Sequence, residues 1–288
     1  LDEQLGFDAG AVDYIAKPIS PPLVLTRIRN HLALKAASDF LRDRNSYLEH
    51  EVTRRTRELS LIQDATIVAM ASLAETRDNE TGNHIRRTQM YLRALARHLQ
   101  NHPRFAAQLS DENIDLMYKS APLHDIGKVA IPDRILLKPG KLNPAECEIM
   151  KTHTTLGRDA INRAEALFGG VSSFLRFAKE IAYSHQEKWD GTGYPLGLAG
   201  ERIPLSARLM AVADVYDGLI SRRVYKPSRS HSEAVEVLRA ASGTHFDPDI
   251  LDAFLELQDE FNAISRRFTD SEVDAASEAE RLRQVFGD

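Results

Sequence analysis

The sequence predicts an all-α protein, on three observations. From residue 76 to about 265, apolar residues recur at helical spacing, most clearly over 85–99, 114–124, 146–161, 174–185 and 205–219. Loops rich in Gly and Pro separate these segments, and the alternation that marks strands is scarce. Ahead of them lies a stretch almost free of Gly and Pro and dense in Arg and Glu, which reads as one long helix.

Composition bounds the function. The 288 residues are 43% hydrophobic and 27% charged, a globular balance. No run of about 18 apolar residues occurs, since the longest candidate, 205–220, is broken by Arg208, Asp214 and Asp217. The net charge of −5 argues against a nucleic-acid polymer as partner. A single cysteine, Cys147, excludes an intramolecular disulfide and any CxxC site, and reads as an inert thiol. The start, Leu-Asp-Glu-Gln, has neither the basic-then-apolar pattern of a signal peptide nor a Met. The chain is therefore expected in the cytoplasm, without a membrane partner, as the rear part of something longer.

Residues 1–35 contain Gly10-Ala-Val-Asp-Tyr-Ile-Ala-Lys-Pro18 and then Leu23, Leu25, Ile28 and Leu32. This pattern predicts a short apolar strand, a Lys-Pro turn and an amphipathic helix opened by Ser20-Pro21-Pro22. The stretch resembles the last strand and helix of a bacterial response-regulator receiver domain, with Lys17-Pro18 at that family's Lys-Pro step. The resemblance implies a partial α/β receiver domain and an upstream histidine kinase as partner. Over 36–75, Leu34, Leu41 and Leu48 step by seven, Val52 follows four later and Leu59 seven after that. Such a seam suits a coiled-coil-like linker pairing with its twin in a homodimer, or a solvated helix against the next domain. The third region, 76–288, ends in an acidic, Ala-rich segment with one more helix expected over 270–285.

Within the third region, four of the ten histidines stand among acidic residues. Glu80 and His84 are four apart, on one face if helical. His124-Asp125 is an adjacent pair at the end of an apolar helix. His153 follows in Lys-Thr-His-Thr-Thr, His185 in Tyr-Ser-His-Gln-Glu, and Asp214 lies inside the apolar run 209–217. A carboxylate buried without a partner costs several kcal/mol, so Asp214 needs a cation. Helices projecting imidazoles and carboxylates inward around divalent ions meet that need. Mixed nitrogen and oxygen ligands without thiolate suit iron, manganese or zinc.

His124-Asp125-Ile-Gly-Lys128, the spaced His153 and His185, and Asp214 resemble the HD metal-dependent phosphohydrolases. Trp189-Asp-Gly-Thr-Gly-Tyr194-Pro195 resembles the Gly-Tyr-Pro motif of the HD-GYP subgroup. The match runs from about 65 to 255 and includes Ile131-Pro-Asp-Arg134 and Gly243-Thr-His-Phe-Asp-Pro248. It implies an HD-superfamily helical bundle that hydrolyses cyclic di-GMP to linear pGpG, to GMP, or to both. The family's metals lower the pKa of water and neutralise developing phosphoryl charge. On the resemblance, Asp125 bridges two ions, His124, His84 and Asp214 complete one, and His153 and His185 hold the other. Glu80 stands where family members hold a third. Iron or manganese is expected first, with zinc, nickel or magnesium admitted.

The resemblance also assigns substrate contacts. Lys128 is placed on the phosphate near the metals, as a catalytic residue beside Asp125. Arg223 and Lys226 match positions that touch phosphate or guanine. Tyr194 hydrogen-bonds or stacks in the same pocket, and Asp217 orients a basic neighbour or a metal-bound water. One departure stands out. The family commonly has two consecutive histidines where this chain has His185-Gln186, so the second ion either keeps His153, His185, Asp125 and water or recruits Gln186. That departure leaves one other reading open, and the catalytic metals, which name no base, leave a second. One is a cyclic-dinucleotide sensor or docking module, with GGDEF cyclase domains as partners, and the other is a phosphodiesterase for another cyclic nucleotide. His245 is expected to be structural, with Asp247 capping a helix that starts at Pro248. His31, His50, His98, His102 and His231 are read as surface residues.

Overall fold

The computed structural model describes residues 2–15, 17–77, 82–169, 173–221 and 228–268. Among them the chain is mostly helical, as the periodicity predicts. The helices are α1 (Asp2–Asp8), α2 (Pro21–Thr76), α3 (Gly82–His98), α4 (Asp111–Ser120), α5 (Asp133–Leu136), α6 (Pro144–Lys151), α7 (His153–Phe168), α8 (Ser173–Ser184), α9 (Leu205–Ile220), α10 (His231–Ala240), α11 (Pro248–Glu256) and α12 (Gln258–Arg267). No helix among the described residues is long and apolar enough to cross a membrane. The chain divides into two compact units, Leu1–Ile62 and Gln63–Asp288.

Among the described residues of the first unit the expected strand is absent. Residues 11–15 join no strand ladder, and the described residues hold only two isolated bridges, Asp190 with Ala199 and Ser242 with Phe246. An extended segment becomes a stable strand only when neighbours complete its ladder, and none is present here. A partial α/β receiver domain is therefore not supported. Instead Asp13 gathers Arg27 and, at 3.1 Å, His31. The helix opened by Pro21 does form, but it runs without interruption to Thr76. Along it Leu34, Leu41, Leu48, Val52 and Leu59 are 43–66% exposed, while Glu51 pairs with Arg54 and Arg55 one turn on.

The second unit is organised around α9, whose residues from Leu205 to Ala213 are all buried. Tyr91 of α3 stacks on Phe261 of α12 at 4.4 Å and meets Tyr216 of α9 edge-on at 5.2 Å. Each such buried side chain contributes about 1.5–3 kcal/mol. A smaller cluster of Ile67, Leu123, Ile161, Ala178 and Ala182 seats the end of α2. Just beyond, the Arg77 guanidinium donates to the carbonyls of Val129 and Ile131 and pairs with Asp133.

Two expected helices are broken, and both breaks shape the site. The segment over 114–124 leaves α-helical geometry at Ser120, because Pro122 has no N–H for the ladder. It continues as two 3-10 turns, Ala121–Leu123 and Ile126–Ala130, with His124 and Asp125 at their junction. The segment over 146–161 splits at Thr152, whose hydroxyl and N–H both turn back to the Ile149 carbonyl. That break sets His153 at the head of α7. Asp247 caps α11 as its Asp-Pro step predicts, accepting the Asp249 N–H at 3.1 Å. The helix expected over 270–285 lies outside the described residues.

Candidate metal centre

Four helices and a turn bring the predicted imidazoles and carboxylates together. His84 lies in the first turn of α3, His124 and Asp125 between the 3-10 turns, His153 at the start of α7, and His185 just past α8. Asp214 and Asp217, three apart, share one face of α9. All four histidines are buried.

The orientation of each ring follows from its Nδ1 partner. His124 reaches the Ala121 carbonyl at 3.0 Å, His153 the Met150 carbonyl at 2.8 Å and His185 the Ile181 carbonyl at 3.0 Å. A carbonyl only accepts, so each Nδ1 carries the proton and each Nε2 presents a lone pair inward. His84 differs: its Nδ1 donates to Asp217 Oδ2 at 2.8 Å.

The inward atoms form two groups, His84 with His124 and Asp214, and Asp125 with His153 and His185, each with ligand atoms within 4.8 Å of one another. Asp125 stands between them. Its Oδ2 lies 3.4 Å from His124 Nε2, while its Oδ1 lies 3.3 Å from His153 Nε2 and 3.6 Å from His185 Nε2. In the first group His84 Nε2 is 3.4 Å from His124 Nε2 and 3.7 Å from Asp214 Oδ1.

These residues fit a pair of divalent ions. Asp125 Oδ1, His153 Nε2 and His185 Nε2 are buried with no hydrogen-bond partner, a costly arrangement that a cation relieves. The two facing lone pairs of His84 and His124 repel unless positive charge lies between them. Burial opposes charge on His124, yet the Asp125 carboxylate raises its pKa above the ordinary value, so this imidazole takes a proton at Nε2 more readily and must give it up to ligate. Burial works against the Asp125 carboxylate too, but Lys128 and His124 hold its pKa well below the usual range. For His153 burial prevails and lowers the imidazole to about 4, leaving it neutral and able to ligate.

Lys128 Nζ is 2.7 Å from Asp125 Oδ2. The Gly-Tyr-Pro loop reaches the second group, where the Tyr194 ring meets His153 edge-on with centroids 6.3 Å apart. Burial, then Asp125, raises the Tyr194 hydroxyl pKa, so it stays protonated as a donor. The loop is held by Glu187, 2% exposed, whose Oε1 and Oε2 accept the N–H groups of Leu196 and Leu198 at 2.8 and 3.0 Å. Backbone bonds from Trp189 and Asp190 to the carbonyls of His245 and Thr244 tie its other end.

Several expectations change. Asp217 orients basic neighbours, Arg87 and His84, one of the two roles expected of it, and is not placed to meet a substrate, because its side chain is 0% exposed and both oxygens are occupied by Arg87, His84 and Ser221. It is also the buried carboxylate that needs a cation, a role expected of Asp214. Asp214 remains 17% exposed and faces His84 and His124. Gln186 is half-buried, and its backbone carbonyl accepts the Tyr194 N–H at 3.2 Å. Glu80, Arg223 and Lys226 lie outside the described residues. Sequence reading missed Glu187, Arg87 and Glu75. Glu75 is a buried residue of α2 that lines a small cavity with His124, Asp125 and Lys128. The spacing of Arg87, three beyond His84, was the available signal for it.

The family described as HD domain matches residues 68–250. A probable cyclic di-GMP phosphodiesterase of Vibrio cholerae is 55% identical over 271 residues, covering 94% of this chain and 62% of that protein. The cyclic di-GMP phosphodiesterase response regulator RpfG of Xanthomonas campestris is 36% identical over 266 residues, covering 92% of this chain and 67% of that protein. A 3'3'-cGAMP-specific phosphodiesterase 2 of Vibrio cholerae is 42% identical over 201 residues, covering 70% of this chain and 36% of that protein. The chain thus spans about three fifths of the first Vibrio relative and about a third of the second.

Proposed function

The chain belongs to the HD-domain family, shown by the match over residues 68–250, and on that premise we propose that it hydrolyses the phosphodiester bonds of cyclic di-GMP to pGpG, GMP or both. One observation carries the reading. Asp125 presents its two oxygens to two separate groups of inward Nε2 atoms, the arrangement a carboxylate needs to bridge two ions. The 55% and 36% identical relatives support the substrate through their names.

When bound, a pair of iron or manganese ions supplies a water activated at neutral pH and neutralises charge on the phosphoryl oxygens. The protein does the rest. His84, His124 and Asp214 hold one position, His153 and His185 the other, and Asp125 both. Lys128 sets an ammonium beside the bridging carboxylate, within reach of a phosphate there. The protonated Tyr194 hydroxyl donates from the Gly-Tyr-Pro loop, the HD-GYP signature. Arg223 and Lys226 are assigned to substrate phosphate or guanine by their motif positions, while Glu80 stands where family members hold a third ion, beyond the two proposed here.

Control by phosphorylation through a histidine kinase is supported by the response-regulator name of the Xanthomonas relative. Homodimerisation is supported by the exposed Leu34–Leu59 seam on α2. A cytoplasmic location is proposed with this substrate, and GGDEF cyclase domains are proposed as partners under the docking alternative.

Purified protein loaded with manganese or ferrous iron should release linear dinucleotide, and Asp125→Ala should abolish it. No turnover with any divalent metal would falsify the enzymatic reading. The 42% identical 3'3'-cGAMP relative favours a second substrate reading, and turnover measured side by side on the two cyclic dinucleotides decides between them.

A further inference from the structure

We propose that Arg87, acting through Asp217, is a positioning residue for one metal position only: the pair fixes His84 as ligand to the ion shared with His124 and Asp214, so the two ions are held with separable affinities. The proposal rests on the metal-centre reading above.

The observation behind it is an asymmetry. His124, His153 and His185 are each oriented by a neutral backbone carbonyl from their own helical turn. His84 alone is oriented by a carboxylate, and that carboxylate comes from another helix. An imidazole whose Nδ1–H points at a carboxylate is a more basic ligand at Nε2 than one pointing at a carbonyl. The first ion position therefore depends on a contact that the second lacks.

Arg87 makes that contact possible. Its Nε donates to Asp217 Oδ1 at 2.6 Å and a terminal nitrogen to Oδ2 at 2.8 Å, a two-pronged grip that fixes the carboxylate plane. The second nitrogen also donates to Ser221 Oγ at 2.9 Å, and the remaining one to the Phe268 carbonyl at 2.8 Å. Arg87 and Asp217 are buried. Without the guanidinium, only His84 and Ser221 meet the carboxylate and nothing fixes its plane. A rotated Asp217 no longer orients His84. The clamp also joins α3, the end of α9 and the residue that closes α12, so the ligand's orientation depends on three separate segments.

The test is manganese binding to the whole chain, by metal analysis and by electron paramagnetic resonance. Wild type should bind two ions per chain and show the exchange-coupled signal of a dinuclear pair. Asp217→Asn and Arg87→Ala should bind one ion as before and the other about 10- to 100-fold more weakly. At limiting manganese their spectrum should be the six-line signal of an isolated ion. Arg87→Lys, which keeps the charge but not the fork, should restore part of the coupled signal. Melting temperatures identify any variant that fails to fold, and Asp217→Asn, equal in size, keeps the test open if Arg87→Ala does. Two ions held as tightly by the folded variants as by wild type would overturn the proposal, as would equal weakening of both. Fewer than two ions on wild type would overturn the metal-centre reading itself.

Discussion

Lys128 Nζ lies 2.7 Å from Asp125 Oδ2, the oxygen that also faces His124. A cation at that distance neutralises a carboxylate that serves both metal positions, yet its ammonium has no lone pair to offer a metal. Lys128→Met should therefore leave metal content near that of wild type while turnover falls about 100-fold, the scale of losing one charge-stabilising donor. Parallel metal analysis and product assays separate the two effects.

Gly127 is the point where the turn carrying Lys128 packs on α7. A Cβ there would stand 1.9 Å from the His153 carbonyl oxygen and 2.5 Å from the Gly157 nitrogen, both backbone atoms that cannot turn aside. Gly127→Ala should destabilise the protein by about 3 kcal/mol, read from the denaturation midpoint. The turn must lift from His153, so metal binding should weaken in step.

Glu187 holds the Gly-Tyr-Pro loop through both oxygens. Glu187→Gln replaces one acceptor with a donor and leaves one buried N–H unmet, at about 1–3 kcal/mol. The loop then places Tyr194 less well. KM should rise several-fold while both ions stay bound, and a variant with wild-type KM would separate the loop from substrate binding.

His245, alongside His153, contributes to the pH dependence of stability. Burial, with the Lys188 charge adding to it, lowers its imidazole to about 4 in the folded chain, against about 6.5 when unfolded. Between those values the unfolded chain binds a proton that the folded chain refuses. Stability is therefore full above about pH 6.5 and declines as pH falls toward 4, with about 1 kcal/mol lost between pH 7.5 and 5.5. His245→Gln should flatten that part of the profile in urea titrations.

The helical class and the imidazoles and carboxylates that the structure gathers were legible because both are written as local pattern. Periodicity marked the helices, and His-Asp pairs set in apolar segments marked a charge that needs compensation. What was not legible depends on distant partners. Arg87 and Glu187 look like ordinary charges on a helix or loop until Asp217 and the Leu196 and Leu198 N–H groups are placed against them. Asp214 and Asp217 could not be ranked by burial, since both interrupt the same apolar run. The apolar residues near Val12 read as a strand by composition, but a strand exists only with a neighbour, and composition cannot supply one.

Three of the four inward imidazoles are tethered to carbonyls of their own turns. The cage is thus assembled as the chain folds, and an arriving ion does no ordering work. Uptake then follows the intrinsic preference of nitrogen and oxygen donors, in which zinc outcompetes ferrous iron and iron outcompetes manganese. The ion recovered with the protein will accordingly record what its surroundings offered during synthesis, and growth in media of defined trace-element content will change it without changing the fold.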